Sequence, residues 1–250
     1  QARHRVILVG IREDLNRSIK PIVEGKPSVT VRDIIEGLPA IRSSLTDDLV
    51  TAWPSYAHRI LKKCAAHARS VDDQTSAILL NLADSVRDGR DLDVGHHWMP
   101  GKVAPIKDAN LDRFIRDPKL HGYIGHHSRG HMKSDLMRYG YAAVFAQVHG
   151  HSPRGAAEFP EQLHPSHKSW LVADRFVDRF KVQRWGTQSS TITSHLAKDG
   201  HYFIHPDARQ LRSLSVREAA RLQTFPDNYI FEGPAGAQRK QVGNAVPPWL

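Results

Sequence analysis

One cysteine, Cys64, is the whole thiol inventory of this 250-residue chain. That excludes an internal disulfide framework and any zinc site built from several cysteines. No apolar run approaches the ~20 residues of a membrane span, and neither a repeat nor a low-complexity linker divides the chain. A soluble, intracellular protein with no membrane partner is expected. Position 1 holds Gln where a start would hold Met, and the chain stops at Leu250 just after Pro247-Pro248. Both ends read as cuts within a longer polypeptide.

Acidic residues are the minority, 26 against 35 lysines and arginines, which leaves a net charge of +9. The 16 histidines add positive charge below about pH 6.5. Such a balance favours an anionic partner, nucleic acid first; a merely solvated basic surface is the competing reading. With 40% hydrophobic residues the chain can bury the core of one large domain or two small ones.

The opening RHRVILVG carries a short β-branched run, Val6 to Val9, stopped by Gly10. It suits a strand buried on both faces. In TVRDIIEGLP, Thr30 is an N-cap with Asp33 three residues on, and Gly37 and Pro39 end the helix after about two turns. From about residue 42 to 182 the pattern loosens, and helices are expected over Ser70 to Gly89 and, weakened by Gly140, over Met132 to Val148. Near the end, Ser215 and Glu218 form an S-x-x-E capping box that starts a helix at Val216, with Leu214 and Ala219 as its staple. Arg217 and Arg221 share one face of that helix. They either grip carbonyls or carboxylates of a neighbour or lie in solvent.

These closing residues resemble a known family. R-x-L-S-x-R-E-A-A-R-L-Q-x-F-P-D, Arg212 to Asp227, resembles the ninth conserved block of DNA cytosine-5 methyltransferases, and Q-x-G-N-A-V-P-P, Gln241 to Pro248, resembles the tenth. QARHRVILVG is similar to the eighth block, and TVRDIIEGLP to the helix that often follows it. Thr191-Ile192 is similar to the Thr-plus-aliphatic pair near the end of the family's target-recognition region. The resemblance implies an α/β fold: the C-terminal part of a Rossmann-like, S-adenosylmethionine-dependent methyltransferase domain with an inserted mixed target-recognition domain. Residues 1–45 would end the catalytic domain, 46–210 would be the target-recognition region, and 211–250 would brace it and return to the cofactor pocket.

By the same resemblance the substrate is cytosine in double-stranded DNA, flipped out, attacked at C6 by a cysteine thiolate and methylated at C5, in restriction–modification or phage defence in a prokaryotic cytoplasm. Arg5 would contact the flipped base and Arg3 would support the site or a phosphate. Asn244 would hold the polar end of S-adenosylmethionine with Ala245 and Val246 lining that pocket, and Gly243 would allow close backbone approach. Thr191 would bond a phosphate beside the flipped nucleotide.

The family's glycine-rich cofactor loop, Pro-Cys nucleophile and Glu-Asn-Val block are absent from this sequence. Cys64 follows the QARHR stretch, which the nucleophile should precede, and reads as a buried small side chain, not a nucleophile. An N-terminal catalytic half, upstream in the same chain or in a separate subunit, is therefore an expected partner; a non-catalytic DNA-binding remnant is the alternative. In the middle region His126, His127 and His131 with Arg129, Lys133 and Arg138 form the leading candidate for DNA contact, ahead of a metal site. A solvated surface competes with that reading.

Overall fold

The computed structural model describes residues 10–15, 17–18, 29–46, 50–166, 170 and 178–249. The strand expected over Val6–Val9, and Arg3 and Arg5, lie outside these residues. The fold is mixed α/β. Helix α1 (Val31–Ile35) starts at Thr30, and Thr30 and Asp33 complete a reciprocal capping box, so aspartate closes it as glutamate would.

Strand β1 (Ser44–Leu45) is followed by α2 (Trp53–Ala68), which carries Pro54 in its first turn, where the missing N–H costs nothing. Helix α3 (Asp73–Arg87) is capped by Asp72, whose carboxylate accepts from Gln74 N at 3.0 Å. Ser76 bonds Ala65 O and His58 bonds Ala83 O, so α2 and α3 run antiparallel as a helical hairpin. Burial raises the Asp72 carboxyl, but hydrogen bonds from His149 and Thr75 outweigh it and hold the group below its usual range.

Strand β2 (Gly95–Pro100) pairs antiparallel with β3 (Gly122–His127), setting His96 opposite His126. Between them runs α4 (Ala109–Ile115), and β4 (Gly130–His131) pairs parallel with β1. The stretch 126–133, the candidate for DNA contact, is thus strand, short strand and helix start. Helix α5 (Lys133–His149) closes the first core against α2 and α3. Gly140 weakens α5 by propensity yet marks its closest approach: a Cβ there would lie 2.9 Å from Leu211 Cδ2 and 3.3 Å from Leu61 Cδ2. Leu61, Leu79 and Leu136 are fully covered, worth ~1.5–3 kcal/mol each. Cys64 lies in this core and donates to Met137 O at 3.3 Å; burial pushes its thiol far up despite the neighbouring lysines.

The last two helices are α6 (Val216–Leu222) and α7 (Ala235–Asn244). Together with α1, α4 and β3 they enclose a second core that draws residues from early, middle and late sequence. The stretch before Gln241, which no sequence pattern marked as helix, is the body of α7: Pro234 precedes it and Ala, Gln, Arg and Lys carry it. Among the described residues no helix is long and apolar enough to cross a membrane.

Helix α6 is held by charge inside an apolar setting. Ser215 Oγ accepts from Glu218 N at 3.1 Å, and the Glu218 carboxylate accepts from Ser215 N at 2.7 Å, completing the expected box. The same carboxylate receives both arms of Arg212, each at 2.7 Å, while Arg212 Nε donates to Ile41 O at 2.9 Å. Arg217 donates to the carbonyls of Ile124, Pro226 and Tyr229, and Arg221 forks onto Asp227 at 2.8 and 2.7 Å. All three guanidiniums are 1% exposed. Arg217 and Arg221 therefore grip neighbouring elements and do not form a solvated face. Breaking such a buried pair from one side costs ~3–5 kcal/mol.

Histidines fill the rest of this layer. His126 sits between Ser215 Oγ (2.9 Å) and Pro39 O (2.7 Å), and His131 between Ser43 Oγ (2.7 Å) and Ser213 Oγ (3.0 Å). Since Pro39 offers only an acceptor, His126 donates from Nε2 and takes the serine hydroxyl at Nδ1. Burial pulls His126 and His205 down to about 4 and His131 well below its ordinary value. For Glu218 burial works upward, and the Arg212 charge overcomes it, so the carboxyl stays ionised.

Two outcomes follow from this core. The unfolded chain protonates these histidines near pH 6.5 while the fold resists down to about 4, so stability falls with pH across that window, by about 2 kcal/mol per ring at pH 5. Glu218, depressed in the fold, adds its own loss only below its unfolded value of 4.5. Urea unfolding midpoints should drop from pH 7 to pH 5, and by less in His126→Gln, with His205 and His131 keeping the remainder; a level wild-type profile would contradict the buried neutral rings. Cys64 should ignore a chromogenic disulfide reagent in the folded protein and react at once in denaturant, and rapid native labelling would contradict its burial.

Candidate nucleic-acid interface

The segment that ends the expected target-recognition region is pinned from two sides. Gln183, 1% exposed, joins its backbone N–H to Ile204 O and spends its amide on the loop ahead of Thr191. Its Nε2 donates to Ser190 Oγ at 2.6 Å, and its Oε1 accepts from Ser190 N and Ser189 Oγ, both at 3.1 Å. Beyond Thr191, Ile192 is buried in the second core, and its carbonyl accepts from Gln223 Nε2 at 3.4 Å. The same amide donates to Val242 O at 3.0 Å. Gln223, at the end of α6, thereby ties the Thr191-Ile192 pair to α7.

Helix α7 meets this segment without a gap. A Cβ on Gly243 would fall 2.3 Å from the Thr193 carbonyl carbon and oxygen, so glycine is required there. The expected close approach is real, and its partner is the backbone after Thr191. Asn244 and Val246 lie exposed just beyond it, with Ala245 half-buried against the second core.

Thr191 remains accessible and lines an open cleft of about 820 Å³. Arg154, Lys181 and Arg184 line it too, against one acid, Asp178. Arg184 is anchored by donating to Gly150 O, at the left-handed residue that ends α5. A groove with excess cations and a hydroxyl at its wall suits a phosphodiester backbone. The three cations lie within HSPRG and KVQRW, and no motif marked them. The pairing of Val182 with Ile204 and the Gln183 clamp hold 181–184 beside 189–191.

The cations singled out from sequence lie elsewhere. Arg138 pairs with Asp135 at 2.7 Å and donates to Leu163 O at 2.8 Å and His164 O at 3.1 Å, so its fork is engaged internally. Arg129, half-buried, donates to Leu196 O at 3.1 Å and to Lys198 O. Lys133 is exposed at the start of α5. His126 and His131 are buried in the α6 layer and face no solvent. Among the described residues no three potential metal ligands gather.

A second cleft, about 660 Å³, opens between α1, α5 and residues 205–210. Arg32 lies over the Trp185 ring at 5.2 Å on its wall. Neither cleft is lined by Asn244, Ala245 or Val246.

Known proteins share this sequence along its whole length. Residues 1–250 match C-5 cytosine-specific DNA methylase. The chain is 35% identical over 255 residues to type II methyltransferase M.Bpa9945I of Bacillus paralicheniformis, covering 100% of this chain and 45% of that protein. It is 49% identical over 216 residues to type II methyltransferase M.Eco47II of Escherichia coli, covering 84% of this chain and 46% of that protein. A shorter likeness, 50% over 62 residues, reaches DNA (cytosine-5)-methyltransferase 1B of Oryza sativa, covering 25% of this chain and 4% of that protein. The chain spans about half the length of the two bacterial relatives. A match over every residue, with a bacterial relative aligned from end to end of it, leaves one assignment: the chain belongs to the C-5 cytosine-specific DNA methylase family.

Proposed function

We propose that this chain is the C-terminal portion of a DNA cytosine-5 methyltransferase of a restriction–modification system, acting on a flipped cytosine in a specific duplex sequence. The observation that carries this reading is the Gln223 bridge. One side-chain amide joins the Thr191-Ile192 pair to the helix that bears Asn244. A surface for DNA backbone and a wall for the cofactor are thereby parts of one rigid body.

In this reading Thr191 holds a phosphate beside the flipped nucleotide, and Lys181, Arg184 and Arg154 neutralise the strand running through the groove. Arg129 and Lys133 extend the cationic surface outside it, whereas Arg138 keeps α5 fixed to residues 163–164. Arg5 contacts the flipped base and Arg3 supports it.

Asn244 fits S-adenosylmethionine as part of one wall, since its amide is exposed with Ala245 and Val246 behind a backbone that Gly243 fixes. S-adenosylmethionine, when bound, supplies the methyl group. Asn244 orients its polar end while Val246, 62% exposed, offers apolar cover. The attacking thiolate must come from outside these residues, because the buried Cys64 thiol reaches no solvent and resists ionisation. An upstream catalytic half provides it, in the same polypeptide or as a separate subunit.

The isolated 250 residues should transfer no labelled methyl group to duplex DNA, and adding the upstream half should restore transfer, with Cys64→Ala as active as the wild type. Transfer by the isolated chain would sink the proposal. For the groove, Lys181→Gln should weaken duplex binding several-fold and lower the slope of log affinity against log salt by about 1. Arg138→Gln should leave that slope alone and lower the unfolding midpoint instead. An unchanged slope in Lys181→Gln would remove the groove from the interface.

A further inference from the structure

Among the described residues, the guanidiniums of Arg212, Arg217 and Arg221 are fully partnered, and that of Arg239 is not. Arg212, Arg217 and Arg221 each meet carbonyls, and Arg212 and Arg221 each fork onto a carboxylate. Arg239, in the middle of α7, is 5% exposed, yet it has no hydrogen-bond or ion-pair partner among the described residues, and its Nε is fully covered. Removing a cation from water without a counter-charge is among the costliest arrangements a fold can keep. Native structures complete such groups, and an incomplete one asks for a ligand.

The surroundings specify the ligand's charge. Arg239 lies one helical turn before Gly243, on the face of α7 that presses onto Thr193 and Ser194. Arg129 lies within electrostatic reach of it, on the same 194–198 segment that α7 packs against; its arms hold the Leu196 and Lys198 carbonyls, neutral acceptors that leave its positive charge in place. His127 is within electrostatic reach of Arg239, and its Nδ1 is likewise buried without a hydrogen-bond partner. No carboxylate acts on Arg239 strongly enough to offset its burial, which pulls the group down to about 10.

We propose that Arg239, Arg129 and His127 form a binding site for one phosphate-type oxyanion, and that a backbone phosphate of the bound DNA fills it. This rests on the DNA-interface reading above, and it adds a site separate from the groove. The chain itself argues for a DNA phosphate. Arg129 docks on residues 196–198, only a few positions past Thr191, so the groove and the cluster flank one continuous segment. Planar forks on arginine suit the paired oxygens of a phosphodiester.

Inorganic phosphate and a short duplex are the two probes, applied to the 250-residue chain, Arg239→Gln, Arg239→Lys and Lys181→Gln. Millimolar phosphate should raise the melting temperature of the wild type and not of Arg239→Gln, which should itself be no less stable than the wild type in phosphate-free buffer. Duplex affinity should fall roughly tenfold in Arg239→Gln, with a salt slope lower by about 1, and Arg239→Lys should recover part of both. Equal phosphate effects in wild type and Arg239→Gln would overturn the oxyanion site. So would a destabilised Arg239→Gln in phosphate-free buffer, since it would mean Arg239 already has a structural partner. A phosphate effect with an unchanged slope in Arg239→Gln, while Lys181→Gln lowers it, would overturn the DNA phosphate as occupant and leave the groove intact, with free phosphate or a protein carboxylate in its place. Loss of slope only in Arg239→Gln would instead strike the groove and support the cluster. No duplex binding by the wild type would overturn both.

Discussion

Glu218 is the group on which the rest of this structure depends. Its carboxylate caps α6 through Ser215, receives the Arg212 fork and lies 3.5 Å from His205, all at 1% exposure. An anion at that depth is tolerable only because the cation beside it is permanently charged and the remaining donors are satisfied. Arg212 in turn reaches back to the Ile41 carbonyl, so the late helix orders the early segment that follows α1. Removing the carboxylate would uncap a helix, strand a buried guanidinium and unmoor residue 41 at once. Few single atoms in the chain combine three such roles.

The layer around Glu218 is polar, dense and nearly dry, and it orients without reacting. His126, His131 and His205 are held neutral, so their rings serve as fixed donors and acceptors rather than proton carriers. Thr191, Lys181 and Asn244, which the proposed reading assigns to DNA and cofactor, remain accessible outside this layer. In that reading a rigid support limits error at the contacts.

What the sequence made legible were features whose partners lie close along the chain. Ser215 and Glu218, or Thr30 and Asp33, are three residues apart, and both boxes form as spacing indicates. The apolar stripes of α3 and α5 were readable for the same reason. Gly140 was misleading in isolation, because its value lies in contact with Leu61 and Leu211, far away in sequence. His126 and His131 were misread as surface because polarity says nothing of a partner such as Ser215, Ser43 or Ser213 more than eighty residues distant. α7 was hidden by its glycines and the proline before it. The cationic groove joins residues 181, 184 and 191 through the Gln183 clamp and residue 154 through the Val182–Ser152 bond, contacts that no periodicity announces.

The contact of Gly243 with the Thr193 backbone leaves no space for even a methyl group. Two surfaces that abut so closely move as one. In the proposed reading, any shift of the Thr191 segment on meeting a strand passes to Asn244, the residue beside the contact, with no compressible layer to absorb it. If the two ligands favour the same position of this joined body, each strengthens the binding of the other by the same factor, since thermodynamic coupling is reciprocal. The glycine then acts as a stiff linkage through which occupancy at one surface is registered at the other.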